Sequence, residues 1–65
     1  MRLYVRTKYN NLGTISAIVL DSNDNVLFIC DAIDMRGVIK TIRMWLKFEY
    51  ENPKSVQLTH LSKSY

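Results

Sequence analysis

Apolar and polar residues alternate along 2–9, with Leu3, Val5, Thr7 and Tyr9 on one side and Arg2, Tyr4, Arg6 and Lys8 on the other. That two-residue period predicts a strand. Asn11, Leu12 and Gly13 follow as a three-residue hairpin loop whose last position needs a left-handed backbone, which glycine adopts without steric cost. Such a loop sets Asn10 opposite Thr14. It pairs Tyr9 with Ile15, Thr7 with Ala17 and Val5 with Val19 on one face, and Tyr4 with Leu20 and Arg6 with Ile18 on the reverse.

Residues 14–20 and 26–33 are rich in β-branched and aromatic side chains and are separated by the turn formers Asp21, Ser22, Asn23, Asp24 and Asn25, so they predict strands two and three. With Asp21 opposite Val26, one face of this second hairpin carries Ile15, Ala17, Val19, Phe28, Cys30 and Ala32. The reverse carries Ile18, Leu20, Leu27 and Ile29. Asp34 is the expected N-cap of a helix over 35–51, since its side chain can accept from free first-turn amides and Pro53 blocks continuation. Met35, Val38, Ile39, Ile42, Trp45 and Leu46 make a stripe about 120° wide on that helix, suited to docking on a sheet. Gly37 costs about 1 kcal/mol relative to alanine there. Residues 55–61 predict a fourth strand with Val56 and Leu58 inward, and 62–65 a frayed tail.

The element order is βββαβ, and a right-handed crossover places strand four parallel beside strand one, giving the sheet order 3-2-1-4. The sequence therefore predicts one compact α+β domain over 1–65, a small four-stranded mixed sheet with one helix packed on one face. This order resembles the first half of a ribonuclease H-like fold and its reduced form in small HicB-like antitoxin domains. The resemblance spans most of the chain as topology and rests on no residue motif. A nuclease of that kind implies carboxylates holding magnesium, beginning with an aspartate on strand one. Residues 2–9 contain no acid, and Glu49 alone cannot assemble a two-metal site.

Composition narrows the function classes. The chain has 65 residues, 48% of them hydrophobic, with two glycines and one proline, too much apolar material for disorder. A single cysteine excludes an internal disulfide, and Cys30 within the apolar run 26–32 reads as a reduced, buried thiol. No charged-then-apolar leader opens the chain and no apolar run approaches the roughly 18 residues of a membrane span, so a cytoplasmic protein is expected. Residues 21–25 superficially echo a calcium loop. The pattern fails at its sixth position, Val26, where glycine is needed, and at its twelfth, Ala32, where a bidentate carboxylate is needed. His60 is the only histidine, and a zinc site needs three or four ligands. The sequence thus predicts no catalytic group, cofactor or metal.

Two surface features remain. Arg36, Lys40, Arg43 and Lys47 fall within about 60° of one another on the helix, a basic stripe able to follow phosphates, and the net charge is +3. Met44 and Phe48 lie on the far side of the helix from the sheet, surplus to the core. On the sheet's reverse face Tyr4, Ile18, Leu20, Leu27 and Ile29 gather beside Arg2, Arg6 and Lys8, an apolar patch with a cationic rim of the kind that marks interaction surfaces. The expected function is a protein-binding inhibitor, adaptor or regulator of the kind that bacteriophages and mobile elements encode. It would dock an acidic or apolar protein surface, or form a homodimer, through Tyr4, Arg6, Ile18, Leu20, Leu27 and Ile29 with Met44 and Phe48. A nucleic-acid-binding regulator using Arg36, Lys40, Arg43 and Lys47 is the alternative.

Overall fold

Gly13 adopts a φ of 83° and closes the first hairpin, with its N–H donating to the Asn10 carbonyl at 3.1 Å and the Asn10 N–H donating to the Thr14 carbonyl at 2.8 Å. The computed structural model of the protein describes residues 1–61; the tail expected over 62–65 lies outside the described residues. The loop joins β1 (Arg2–Tyr9) to β2 (Ile15–Leu20) in the register its length predicts. Tyr4 faces Leu20, Arg6 faces Ile18 and Tyr9 faces Ile15. β3 (Val26–Ala32) pairs antiparallel with β2, and β4 (Gln57–His60) lies parallel to β1. The sheet order is β3-β2-β1-β4, and a single helix, α1 (Met35–Glu49), packs on one face. The small mixed α+β sheet expected from the pattern is the fold.

The second hairpin departs from its expected register at one end. Val19 faces Phe28 and Ile15 faces Ala32 as the face pattern requires, but Leu20 faces Val26, and Leu27 is the extra residue of a bulge. The cause is Asp21. Its carboxylate accepts from the Asn23 and Asn25 backbone amides at 2.8 and 3.0 Å and from the Asn25 side chain at 3.0 Å, while its own N–H donates to the Asn25 carbonyl at 3.1 Å. Asp21 and Asn25 are thereby locked as the closing pair of the loop, which sets Leu20 against Val26. The bulge absorbs the one-residue conflict with the apolar face.

Asp34 caps α1 as its residue type predicts, accepting from the Gly37 N–H at 2.8 Å. The helix ends at Glu49, two residues before the expected 51, because Tyr50 is already extended while its N–H still reaches the Leu46 carbonyl. Pro53 instead opens a single 3₁₀ turn, Pro53–Ser55, that leads into β4. Val38, Ile42 and Leu46 are the buried residues of α1, and they meet Leu3, Val5, Ile15, Ala17 and Val19 in the core. Trp45 stacks on Phe28 with ring centroids 5.0 Å apart and takes Tyr50 edge-on at 6.0 Å. Ile39, expected in the core stripe, is exposed.

Gly37 has a packing reason beyond its tolerance in a first turn. A Cβ there would stand 2.9 Å from the Ala32 Cβ, closer than two carbons can pack without a shift. Gly37→Ala recovers about 1 kcal/mol of helix propensity, but overpacking against a strand costs about 1–3 kcal/mol. The expected net result is a lower urea midpoint for Gly37→Ala, and a double-mutant cycle with Ala32→Gly shows a coupling of about 0.5 kcal/mol or more. Additive effects would mean that the close approach is not what fixes this glycine.

Hydrogen bonds from the Asn25 side chain, and then from the Asn25 and Asn23 backbone, hold the Asp21 carboxyl below its ordinary value of 3.8. Because the folded value is the lower one, the stability Asp21 contributes is complete above the unfolded value and is lost as pH falls through the folded one. The difference in urea midpoint between wild type and Asp21→Ala is expected to be largest near neutral pH and to shrink in acid below about pH 4.

Candidate functional site

Strand alternation and the observed registers bring Tyr4, Arg6, Ile18, Leu20 and Ile29 together on the face that α1 does not cover. Ile29, Ile18 and Arg6 form one cross-strand row and Leu20 and Tyr4 the next, with Thr59 of β4 beside Tyr4. Among the described residues no element lies over this face. The face is nevertheless less open than its sequence implied. Leu20 is only 4% exposed and Ile18 is buried too, because β2 is an interior strand whose side chains are flanked on both sides by those of its neighbours. Ile29, on the edge strand β3, remains 63% exposed. Leu27, displaced by the bulge, borders a depression at the sheet's end together with Met1, Arg2, Leu3 and Tyr50.

Polar groups frame this row unequally. Arg6 keeps its Nε buried without a hydrogen-bond partner, while Arg2 donates to the Gln57 side-chain carbonyl at 3.2 Å. Toward the first hairpin, the Asn10 amide donates to the Thr14 and Ser16 hydroxyls at 3.0 and 2.7 Å, and the Ser16 hydroxyl donates to the Asp31 carboxylate. Asp31 is thus engaged within its own sheet and does not serve Arg6.

The helix residues stand elsewhere. Met44 is exposed and Phe48 is 86% exposed. Both lie on a helix packed against the opposite side of the sheet, so the structure does not join them to Tyr4 and Ile29. Arg36, Lys40, Arg43 and Lys47 are all exposed on α1, and they are separated in the same way from Arg2, Arg6 and Lys8.

A second concave surface was not legible in the sequence. α1 lies over β2 and β3, and its inner side chains reach Leu3 and Val5 of β1. Beyond them β4 has no cover among the described residues. The result is a trough between α1 and β4, floored by Val5, Val38 and Ile42 and walled by Met35, Ile39, Arg43, Leu58 and His60, enclosing about 240 Å³. Leu58 points inward as expected but is 38% exposed. His60 Nε2 and Thr7 Oγ1 share a hydrogen bond of 3.1 Å at one end. Helical periodicity shows which side chains face a sheet, and it carries no signal for which strands the helix sits over.

Cys30 is half-buried and packs against the core, and burial, followed by the neighbouring Asp31 charge, pushes its thiol up. It is therefore a protonated packing residue at neutral pH. Among the described residues no three of His, Cys, Asp and Glu gather closely enough to hold a metal ion, and no helix is long and apolar enough to cross a membrane. No protein-family model, curated protein or solved structure matches the chain.

Proposed function

We propose that the chain is a non-catalytic protein-binding module, an inhibitor, adaptor or regulator that docks an acidic or apolar protein surface through the reverse face of its sheet. The observation that carries this reading is the row Ile29, Ile18, Arg6. It sets a 63% exposed isoleucine two strands from an arginine whose buried Nε has no acceptor. A buried N–H left without an acceptor costs about 1–3 kcal/mol, a cost that is removed when the Arg6 side chain swings out to a partner's carboxylate or carbonyl while the partner's apolar groups cover Ile29. A tyrosine and an arginine beside aliphatic groups is also the composition of interface hot spots. Self-association uses the apolar part of the same face, with Ile29 of each copy covered by the other in an isologous homodimer.

Light scattering at high micromolar concentration tests this, with Ile29→Lys as the probe because Ile29 is exposed and its replacement spares the core. The expected result is a concentration-dependent mass above the monomer that Ile29→Lys returns to the monomer, while Lys40→Glu on the helix leaves it unchanged. A monomer at every concentration, with Ile29→Lys also without effect on capture of partners from the native host, removes the reading. Leu20→Lys is not informative, since Leu20 is buried and the change would unfold the sheet.

One observation favours a nucleic-acid-binding reading. Arg36, Lys40, Arg43 and Lys47 are exposed along one flank of α1, whose 15 residues carry one acid, Glu49, and Lys54 extends the row beyond Lys47. It predicts binding to duplex DNA whose log affinity falls linearly with log salt, by about 0.9 for each phosphate neutralised. Lys40→Glu with Arg43→Glu abolishes such binding in a folded protein. Absence of binding to duplex, single-stranded and RNA probes at low salt eliminates it.

A further inference from the structure

We infer that the trough between α1 and β4 is a second docking site, and that its occupant is an acidic amphipathic helix of a partner protein. The first argument is one of dimensions. Four strands at about 4.8 Å spacing are wider than the roughly 10 Å of one helix, so a sheet of this size takes two helices side by side on a face. α1 fills one of those places, over β2 and β3. The other place, on the β4 side, is left with Ile39 and Leu58 exposed on two walls above a floor of Val5, Val38 and Ile42 that is already buried.

The second argument is charge. Where the trough continues past Arg43 toward the 3₁₀ turn, Lys47 and Lys54 join its rim, and no Asp or Glu stands among the residues that line either part. By helical rotation the whole basic stripe falls on the flank of α1 that carries Ile39, not on the flank that carries Trp45. A helix laid over the apolar floor with carboxylates on its flanks meets these cations on one side. The helix of a second copy does not fit, because it would bring four further cations and a single acid.

The third argument is size. At about 240 Å³ the trough is smaller than the roughly 300–1,000 Å³ that drug-sized ligands occupy, and it suits the apolar side chains of a helix whose remaining contacts lie along the rim. The exposed apolar walls Ile39 and Leu58 likewise favour a peptide over a nucleic acid, whose phosphates would use the rim and leave those side chains uncovered. The site lies on the opposite side of the sheet from Ile29 and Arg6, so it stands or falls independently of the reverse-face reading.

The test uses the full chain and three fluorescein-labelled peptides of equal length. One is a helix with Leu at i, i+3, i+4 and i+7 and Glu elsewhere. The second has the same residues scrambled, and the third replaces each Glu with Lys. Fluorescence anisotropy gives affinities, and amide chemical-shift mapping gives the location. The expected result is that the first peptide binds best, shifts Ile39, Val38 and Leu58, and loses about tenfold or more in affinity with Leu58→Glu and with Arg43→Glu, each checked for folding by circular dichroism. Ile29→Lys leaves it unchanged. No binding, equal binding of the scrambled peptide, shifts confined to the reverse face, or displacement of the helix from the trough by duplex DNA at equal concentration each overturns the proposal.

Discussion

One helix has to cover apolar surface on a four-stranded sheet, and it is too narrow to do so. The helix is best used where the sheet is most apolar. Val38, Ile42 and Leu46 sit against Ile15, Ala17 and Val19 of the central strand and Leu3 and Val5 of its neighbour, and all eight residues are buried. Ala17 is wholly buried, and Gly37 lets the first turn come within contact of Ala32. Small residues at those two points bring the layers close enough for the larger side chains to touch. A domain of 65 residues buries only about 60% of its unfolded surface, so what this single layer leaves uncovered is a large part of the molecule. Both concave or apolar surfaces of the protein follow from that shortfall.

The first hairpin was fully legible because its register depends on local chemistry. Gly13 fixes the loop, the loop fixes Asn10 against Thr14, and period-two alternation does the rest. The second hairpin was legible in its faces and not in its closing pair. Turn-forming composition identifies 21–25 as a loop, but the choice of Asp21 and Asn25 as its ends is made by hydrogen bonds of the Asp21 side chain. Leu27 left the middle of the reverse face as a result. Ile18 and Leu20 were correctly assigned to that face and wrongly expected to be open. Alternation reports the side of a strand, while burial also depends on whether the strand is interior, and β2 is flanked by β1 and β3.

The candidate surfaces divide along the same line. Tyr4, Arg6 and Ile29 were found because strand pairing alone gathers them. Met44 and Phe48, expected on the far side of the helix from the sheet, are exposed there, and so lie across the sheet from Tyr4, Arg6 and Ile29. The trough escaped notice because it is a property of the helix position, and the stripe Met35, Val38, Ile39, Ile42, Trp45 and Leu46 is compatible with a helix centred over any pair of strands. Its two flanks behave differently in the fold. Trp45 is half-buried on the β3 side, whereas Ile39 is exposed on the β4 side.

That asymmetry has identifiable causes at both ends of α1. At the N-terminal end, Asp34 is separated from β3 only by Ile33 and caps the helix, and Gly37 rests against Ala32 at the end of the same strand. Nearer the C-terminal end, Trp45 lies nearly parallel to Phe28 of β3, with an interplanar angle of 10°, and Tyr50 closes the stack edge-on. An offset aromatic pair of this kind adds about 0.5–1.5 kcal/mol beyond the area it buries, and among the described residues no aromatic pair ties α1 to β4. β4 instead pairs with β1 through its backbone, by bonds such as Gln57 N–H to the Met1 carbonyl and Leu61 N–H to the Val5 carbonyl. Its inward side chains are Leu58 and the hydrogen-bonded His60. The helix is held to β3 at two points along its length, so the opening over β4 is a fixed consequence of where the aromatic residues and the glycine fall in the sequence.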